Sequence, residues 1–133
     1  MHVVYYPGKP DGTPNSLSKF VAEDLRKLNF KQWTKLDFFL REMELGTKED
    51  LVEKIVAEQT KKWDKRKLAT LGDGLYEYRG SESHSGTIRM YFYYTEDMLV
   101  VLDSEYKTSD KNVIERARIR MHEMISHFKG VKK

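Results

Sequence analysis

The chain has 133 residues, 39% hydrophobic and 34% charged, enough for one hydrophobic core and too few for two independent ones. The absence of cysteine excludes a disulfide framework, a thiolate metal site and a cysteine nucleophile, and makes a reducing, cytoplasmic setting the expectation. A formal net charge of +3 is too small to signal polyanion binding by itself, and the longest strongly apolar stretch, Met98 to Leu102, is far short of a membrane span.

The opening residues Met1 to Pro7 carry neither a basic leader nor a long apolar core, so secretion and membrane insertion are not expected. Val3 to Tyr6 reads as a short strand, and the turn-rich Pro7 to Pro14 as loop. Leu17, Phe20, Val21, Leu25 and Leu28 have helical spacing, interrupted by Asp24. Asn29 and Gln32 have the spacing of a capping box. A second helix follows, with Trp33, Leu36, Leu40 and Met43 on one face and Phe39 beside them, and Gly46 is expected in the left-handed position that ends it. Thr47 is placed to cap a third helix whose inward stripe is Leu51, Val52, Ile55, Val56 and Gln59.

Lys61, Lys62, Lys65, Arg66 and Lys67 then surround Trp63 and Asp64. Such a run is either a solvated helix end or a track for a phosphate backbone. Gly72-Asp73-Gly74 lacks the Lys-Ser/Thr pair of a phosphate loop and reads as a tight turn.

Beyond this turn the period changes from helical to alternating. Leu75 to Arg79, Ile88 to Tyr94 and Met98 to Tyr106 are rich in aromatic and β-branched residues and predict three antiparallel strands. Strict alternation turns Tyr76, Tyr78, Ile88, Met90, Phe92, Tyr94, Val100, Leu102 and Tyr106 toward the helices. It turns Glu77, Arg79, Arg89, Tyr91, Tyr93, Asp103, Glu105 and Lys107 to an open face. Arg79 and Arg89 could pair there with Glu77, Asp103 or Glu105, and Tyr91 and Tyr93 are either strand-formers or base-stacking platforms. Ser109 or Asp110 caps a last helix with Ile114, Ala117, Met121, Met124, Ile125 and Phe128 inward and its arginines on the other side.

Metal chemistry finds no support. His122 and His127 are five residues apart, a rotation of about 140° on a helix, whereas the zinc-protease pair needs four. His84, in a Ser-rich turn, reads as a solvated side chain.

Several of these segments together resemble a known family. Gly74-Leu75-Tyr76-Glu77-Tyr78-Arg79, then Ile88-Arg89-Met90-Tyr91-Phe92-Tyr93, then Val101-Leu102 to Lys107, then Glu115-Arg116-Ala117-Arg118 are similar to the HigB-like branch of the RelE/ParE toxin superfamily. The likeness runs from about Leu68 to the end. It departs from the family pattern at Ile88, often Tyr, at Asp103 and Glu105, often His and aromatic, and at Thr108, often a second Lys.

The resemblance implies one RelE-like α+β domain over residues 1–133. Its helical half would span about 15–67, packed on one face of a small twisted antiparallel sheet at about 75–107, with a C-terminal helix at about 110–128. It also implies the toxin of a type II toxin-antitoxin system, a metal-independent and cofactor-free endoribonuclease that cleaves mRNA on the ribosome and is held by a helix-turn-helix antitoxin. Arg79, Arg89 and Lys107 become the expected catalytic residues. Lys61, Lys62, Lys65, Arg66, Lys67, Tyr91 and Tyr93 become the expected RNA contacts. The same superfamily includes ParE relatives that act on DNA gyrase without cleaving RNA, and a non-catalytic interaction domain is the third reading.

Overall fold

Alternating and helical periodicities require two kinds of layer, and the computed structural model contains both: a mixed five-stranded sheet with helices on its two faces, an α+β architecture. The structure describes residues 1–6, 30–82, 86–106 and 111–131. The expected helix at Leu17 to Leu28, the Asn29 cap, His84, Lys107 and the Ser109 or Asp110 cap lie outside the described residues, as do the side chains of Gln32, Trp33, Tyr106 and Phe128.

The elements are β1 (His2–Tyr5), α1 (Phe30–Leu45), α2 (Lys48–Gln59), a short 3-10 turn (Trp63–Lys65), β2 (Leu68–Gly72), β3 (Leu75–Glu82), β4 (Gly86–Tyr94), β5 (Met98–Tyr106) and α3 (Lys111–Val131). Among the described residues no helix is long and apolar enough to cross a membrane.

The inward stripe of α1 is Leu36, Phe39, Leu40 and Met43, all buried. Thr47 caps α2 as its spacing predicts: its hydroxyl accepts from the Asp50 N–H, and the Asp50 carboxylate accepts from the Thr47 N–H at 2.9 Å. Leu51 and Ile55 face the core, but Val56 does not and stands exposed, because α2 covers the sheet with only a narrow stripe. Gly46 is not left-handed. Its requirement is space, since a Cβ there would sit 2.9 Å from the Asp50 carboxylate and 3.1 Å from the Glu42 carbonyl.

The strand order is β1-β5-β4-β3-β2, with β1 parallel to β5 and the other pairs antiparallel. The sheet is therefore mixed rather than wholly antiparallel, and it begins at β1 and β2 rather than at Leu75. Flanked on both edges and covered on both faces, β5 needs the near-continuous apolar run Met98 to Leu102 that the sequence supplies. Among the described residues, the β2–β3 turn is the one place where left-handed backbone is demanded, with φ of 89° at Gly72, 56° at Asp73 and 86° at Gly74.

One face of the sheet presents Tyr76, Tyr78, Ile88, Met90, Phe92, Tyr94, Leu99 and Val101 to α1 and α2. Phe39 stacks on Tyr78 with centroids 4.3 Å apart. The opposite face is not open. Here α3 lays Ala117, Met121 and Met124 on Val4, Leu75, Tyr91, Tyr93, Val100 and Leu102.

Val100 and Leu102 thus lie on the face opposite to the one alternation assigns, and the cause is a β-bulge. Tyr91 pairs with Asp103 and Phe92 with Val101, leaving Leu102 as the extra residue. The extra residue resets the phase, so Val100 and Leu102 share a face with Asp103 and Glu105. The arginines of α3 do not face solvent on its far side either. Arg116 and Arg120 reach Asp103 on β5, and Arg118 reaches the carbonyls of Leu71 and Gly72.

Candidate functional site

Arg79 on β3 and Arg89 on β4 are directly paired across the two strands, two positions from Glu77 on β3, so all three side chains project from one face. Glu77 is buried and joins them: one carboxylate oxygen lies 2.6 Å from Arg89 Nη1 and the other 3.3 Å from Arg79 Nη2. The Arg79 side chain is 9% exposed and that of Arg89 21%. Arg79 Nη1 also donates to the Trp63 carbonyl at 2.5 Å, and its guanidinium carbon lies 4.6 Å from the centre of the Trp63 ring. The Nε atoms of both arginines are buried and have no hydrogen-bond partner among the described residues.

This cluster floors a cleft of about 920 Å³. α1 contributes Thr34, Lys35 and Phe38, the 3-10 turn and its successor contribute Trp63 to Lys67, and Gly80, Thr87 and Ile114 complete the lining with Leu71 and Tyr78. Among the described residues, Lys35, Lys65, Arg66, Lys67, Arg79 and Arg89 line it against Asp64 and Glu77, so this lining is cationic although the sheet segment as a whole is acidic. Burial pushes the Tyr78 hydroxyl above its usual pKa, reinforced by Glu42, so it stays protonated at neutral pH.

The expected RNA contacts divide. Lys62, Lys65 and Lys67 are exposed, and their ammonium groups make no ion pair among the described residues. Lys61 is instead paired with Glu58 at 2.5 Å. Burial would raise the Glu58 pKa, but the Lys61 ammonium and the Lys67 N–H outweigh it and hold the carboxyl below its usual range. Arg66 closes the end of α2 by donating to the Gln59 and Lys61 carbonyls. Three of the five cations thus remain for a ligand, and the run is a 3-10 turn rather than a helix end.

Tyr91 and Tyr93 are corrected outright as base-stacking platforms. They are 0% and 4% exposed, sealed beneath α3, and Tyr91 donates to Glu105. Lys107 follows β5 outside the described residues.

Two aromatic side chains that sequence reasoning did not assign to the site do line the cleft: Phe38, 66% exposed, and Trp63, 50% exposed. A signal for Phe38 existed, because it is a large apolar residue off the inward stripe of an amphipathic helix. Glu77 was visible only as one of several cross-strand partners; its place between both arginines needed the register. Among the described residues no three His, Asp or Glu side chains converge as a metal-ligand set.

The arrangement places two permanently charged guanidinium groups in a cationic cleft, which favours an anionic ligand such as a phosphate. Comparison with family models, with curated proteins and with solved structures gives no match.

Proposed function

We propose that the chain is the toxin of a type II toxin-antitoxin pair, related to the HigB-like branch of the RelE/ParE superfamily, and that it cleaves mRNA on the ribosome in the cytoplasm without a metal or cofactor. The observation that carries this reading is the Arg79–Glu77–Arg89 cluster in the cationic cleft, with two buried guanidinium Nε donors unused. In the reaction, a ribose 2′-oxygen forms a bond to the neighbouring phosphorus and the bond to the 5′-oxygen breaks. The products are a 2′,3′-cyclic phosphate and a 5′-hydroxyl end. The phosphorane in between carries extra negative charge, which Arg89 and Arg79 stabilise. Glu77 orients both forks rather than touching substrate, because it is buried beneath them. Lys107, next in the chain after β5, assists proton transfer or holds the strand.

Inducing the chain without an antitoxin is expected to arrest growth and to leave transcripts with cyclic-phosphate ends. A helix-turn-helix protein from the same operon is expected to copurify and to restore growth. Soluble expression with normal growth and intact transcripts rejects the toxin reading. Growth arrest with intact transcripts and inhibited gyrase transfers the chain to the ParE-like, non-nuclease class.

A further inference from the structure

Phosphate donors account for the floor of the cleft but not for its exposed aromatic rim. Phe38 lies among the inward positions Leu36, Phe39 and Leu40 of α1 yet is turned out of the core, and it shares a flank of the helix with Thr34, four residues earlier, which also lines the cleft. Leaving such a ring in water forgoes the burial available to its neighbours. Trp63 stands at the start of the 3-10 turn, its ring against the Arg79 guanidinium at 4.6 Å and that of Arg66 at 5.5 Å.

Aromatic surface adjoining guanidinium groups suits an unpaired nucleotide: a ring accepts the face of a base while the fork takes the phosphate. A base inside a duplex has both faces covered by its stack and cannot make that contact. We infer that the cleft seats an unpaired nucleobase on Phe38, with Trp63 bounding the seat, while the adjoining phosphate lies over Arg79 and Arg89. The inference rests on the RNA-cleaving reading for the choice of polymer and adds the strand state and the base contact.

The test uses the full chain and a labelled RNA of about eight nucleotides, a length suited to a single-strand groove. Its 2′-O-methyl groups block cleavage, so that binding alone is read by fluorescence anisotropy. The same strand made abasic and the same sequence as a duplex are the comparisons.

Phe38→Ala is expected to weaken binding of the intact strand by about five- to a hundredfold. It should leave binding of the abasic strand nearly unchanged, and Phe38→Tyr should restore most of the loss. The duplex should bind no better than the abasic strand. Equal losses on intact and abasic strands, no loss at all, or no binding of the unpaired strand by the unaltered chain overturns the base seat. A chain that ignores the strand but binds an acidic, aromatic peptide overturns it in favour of a protein partner. Transcript cleavage without base-dependent coupling at Phe38 removes the seat and keeps the nuclease. Base-dependent binding without cleavage does the reverse.

Discussion

Two arginine–carboxylate clusters occupy the same face of the sheet with the same composition, one acid to two arginines, and they do different things. In the first, Glu77 bridges Arg79 and Arg89 on adjacent strands that the backbone ladder already holds together. In the second, Asp103 on β5 receives Arg116 bidentately, at 2.5 and 3.0 Å, and Arg120 at 3.2 Å, both from α3. Arg120 also donates to the Leu102 carbonyl and Asp103 accepts from the Ser104 N–H, so this cluster fastens a helix to a strand. The Glu77 cluster joins two paired strands and, through Arg79 and the Trp63 carbonyl, ties the 3-10 turn to β3. It is more enclosed, it lies in the cleft, and the Nε atoms of both its arginines go unused. Composition therefore does not distinguish the two clusters; burial, position in the cleft and the buried Nε donors without a partner among the described residues do.

The comparison is most severely tested at Glu77. Glu77→Ala leaves two enclosed guanidinium groups without their shared counter-charge, and about 3 to 5 kcal/mol of stability should be lost, read by urea unfolding. A loss below about 1 kcal/mol, the worth of an exposed pair, would mean that the cluster is solvated and not held.

Arg89→Ala keeps the Glu77–Arg79 contact, so the fold should suffer less than the chemistry. Transition-state stabilisation should fall by about 2.7 to 4 kcal/mol, a rate loss on the order of a hundredfold to a thousandfold in transcript cleavage. Arg89→Lys preserves a charge opposite Glu77 but not the fork, and should fold normally while cleaving slowly. If both variants cleave at the unaltered rate, Arg89 is not catalytic.

Asp103→Asn should show the opposite profile. Arg116 is 54% exposed and can be solvated where it stands, so about 1 to 2 kcal/mol of stability should go, with cleavage per folded molecule unchanged. A tenfold fall in cleavage at normal folding would erase the distinction between the clusters.

The smallest effect is expected under α3, away from both clusters. The Tyr93 hydroxyl is buried with no partner among the described residues, so Tyr93→Phe should raise stability by up to about 1 kcal/mol. Burial pushes its pKa up from 10.0 to about 12. The folded chain therefore holds this proton more tightly than the unfolded one. The stability it contributes is complete below pH 10.0 and is lost as pH rises toward about 12. Unfolding curves taken across that window should fall less steeply for Tyr93→Phe, and identical slopes would show that the hydroxyl ionises freely in the folded chain.

What the sequence by itself determined is local. Helical spacing marked the buried stripe of α1, the three-residue interval from Thr47 to Asp50 marked the cap of α2, and alternation put Arg79 and Arg89 on one face because β3 and β4 are regular where those residues lie. Tertiary structure decided the rest. Alternation has no memory of a bulge, so Val100 and Leu102 could be placed only once Leu102 was seen to lack a partner. The parallel pairing of β1 with β5 joins segments almost a hundred residues apart and leaves no periodic trace. Tyr91 and Tyr93 became core residues because α3 docks over them, and Phe38 joined the cleft because α1 and the 3-10 turn line the same cavity. Exposure is set by whichever element comes to lie above a residue, a property of the assembled layers that no window of neighbouring residues contains.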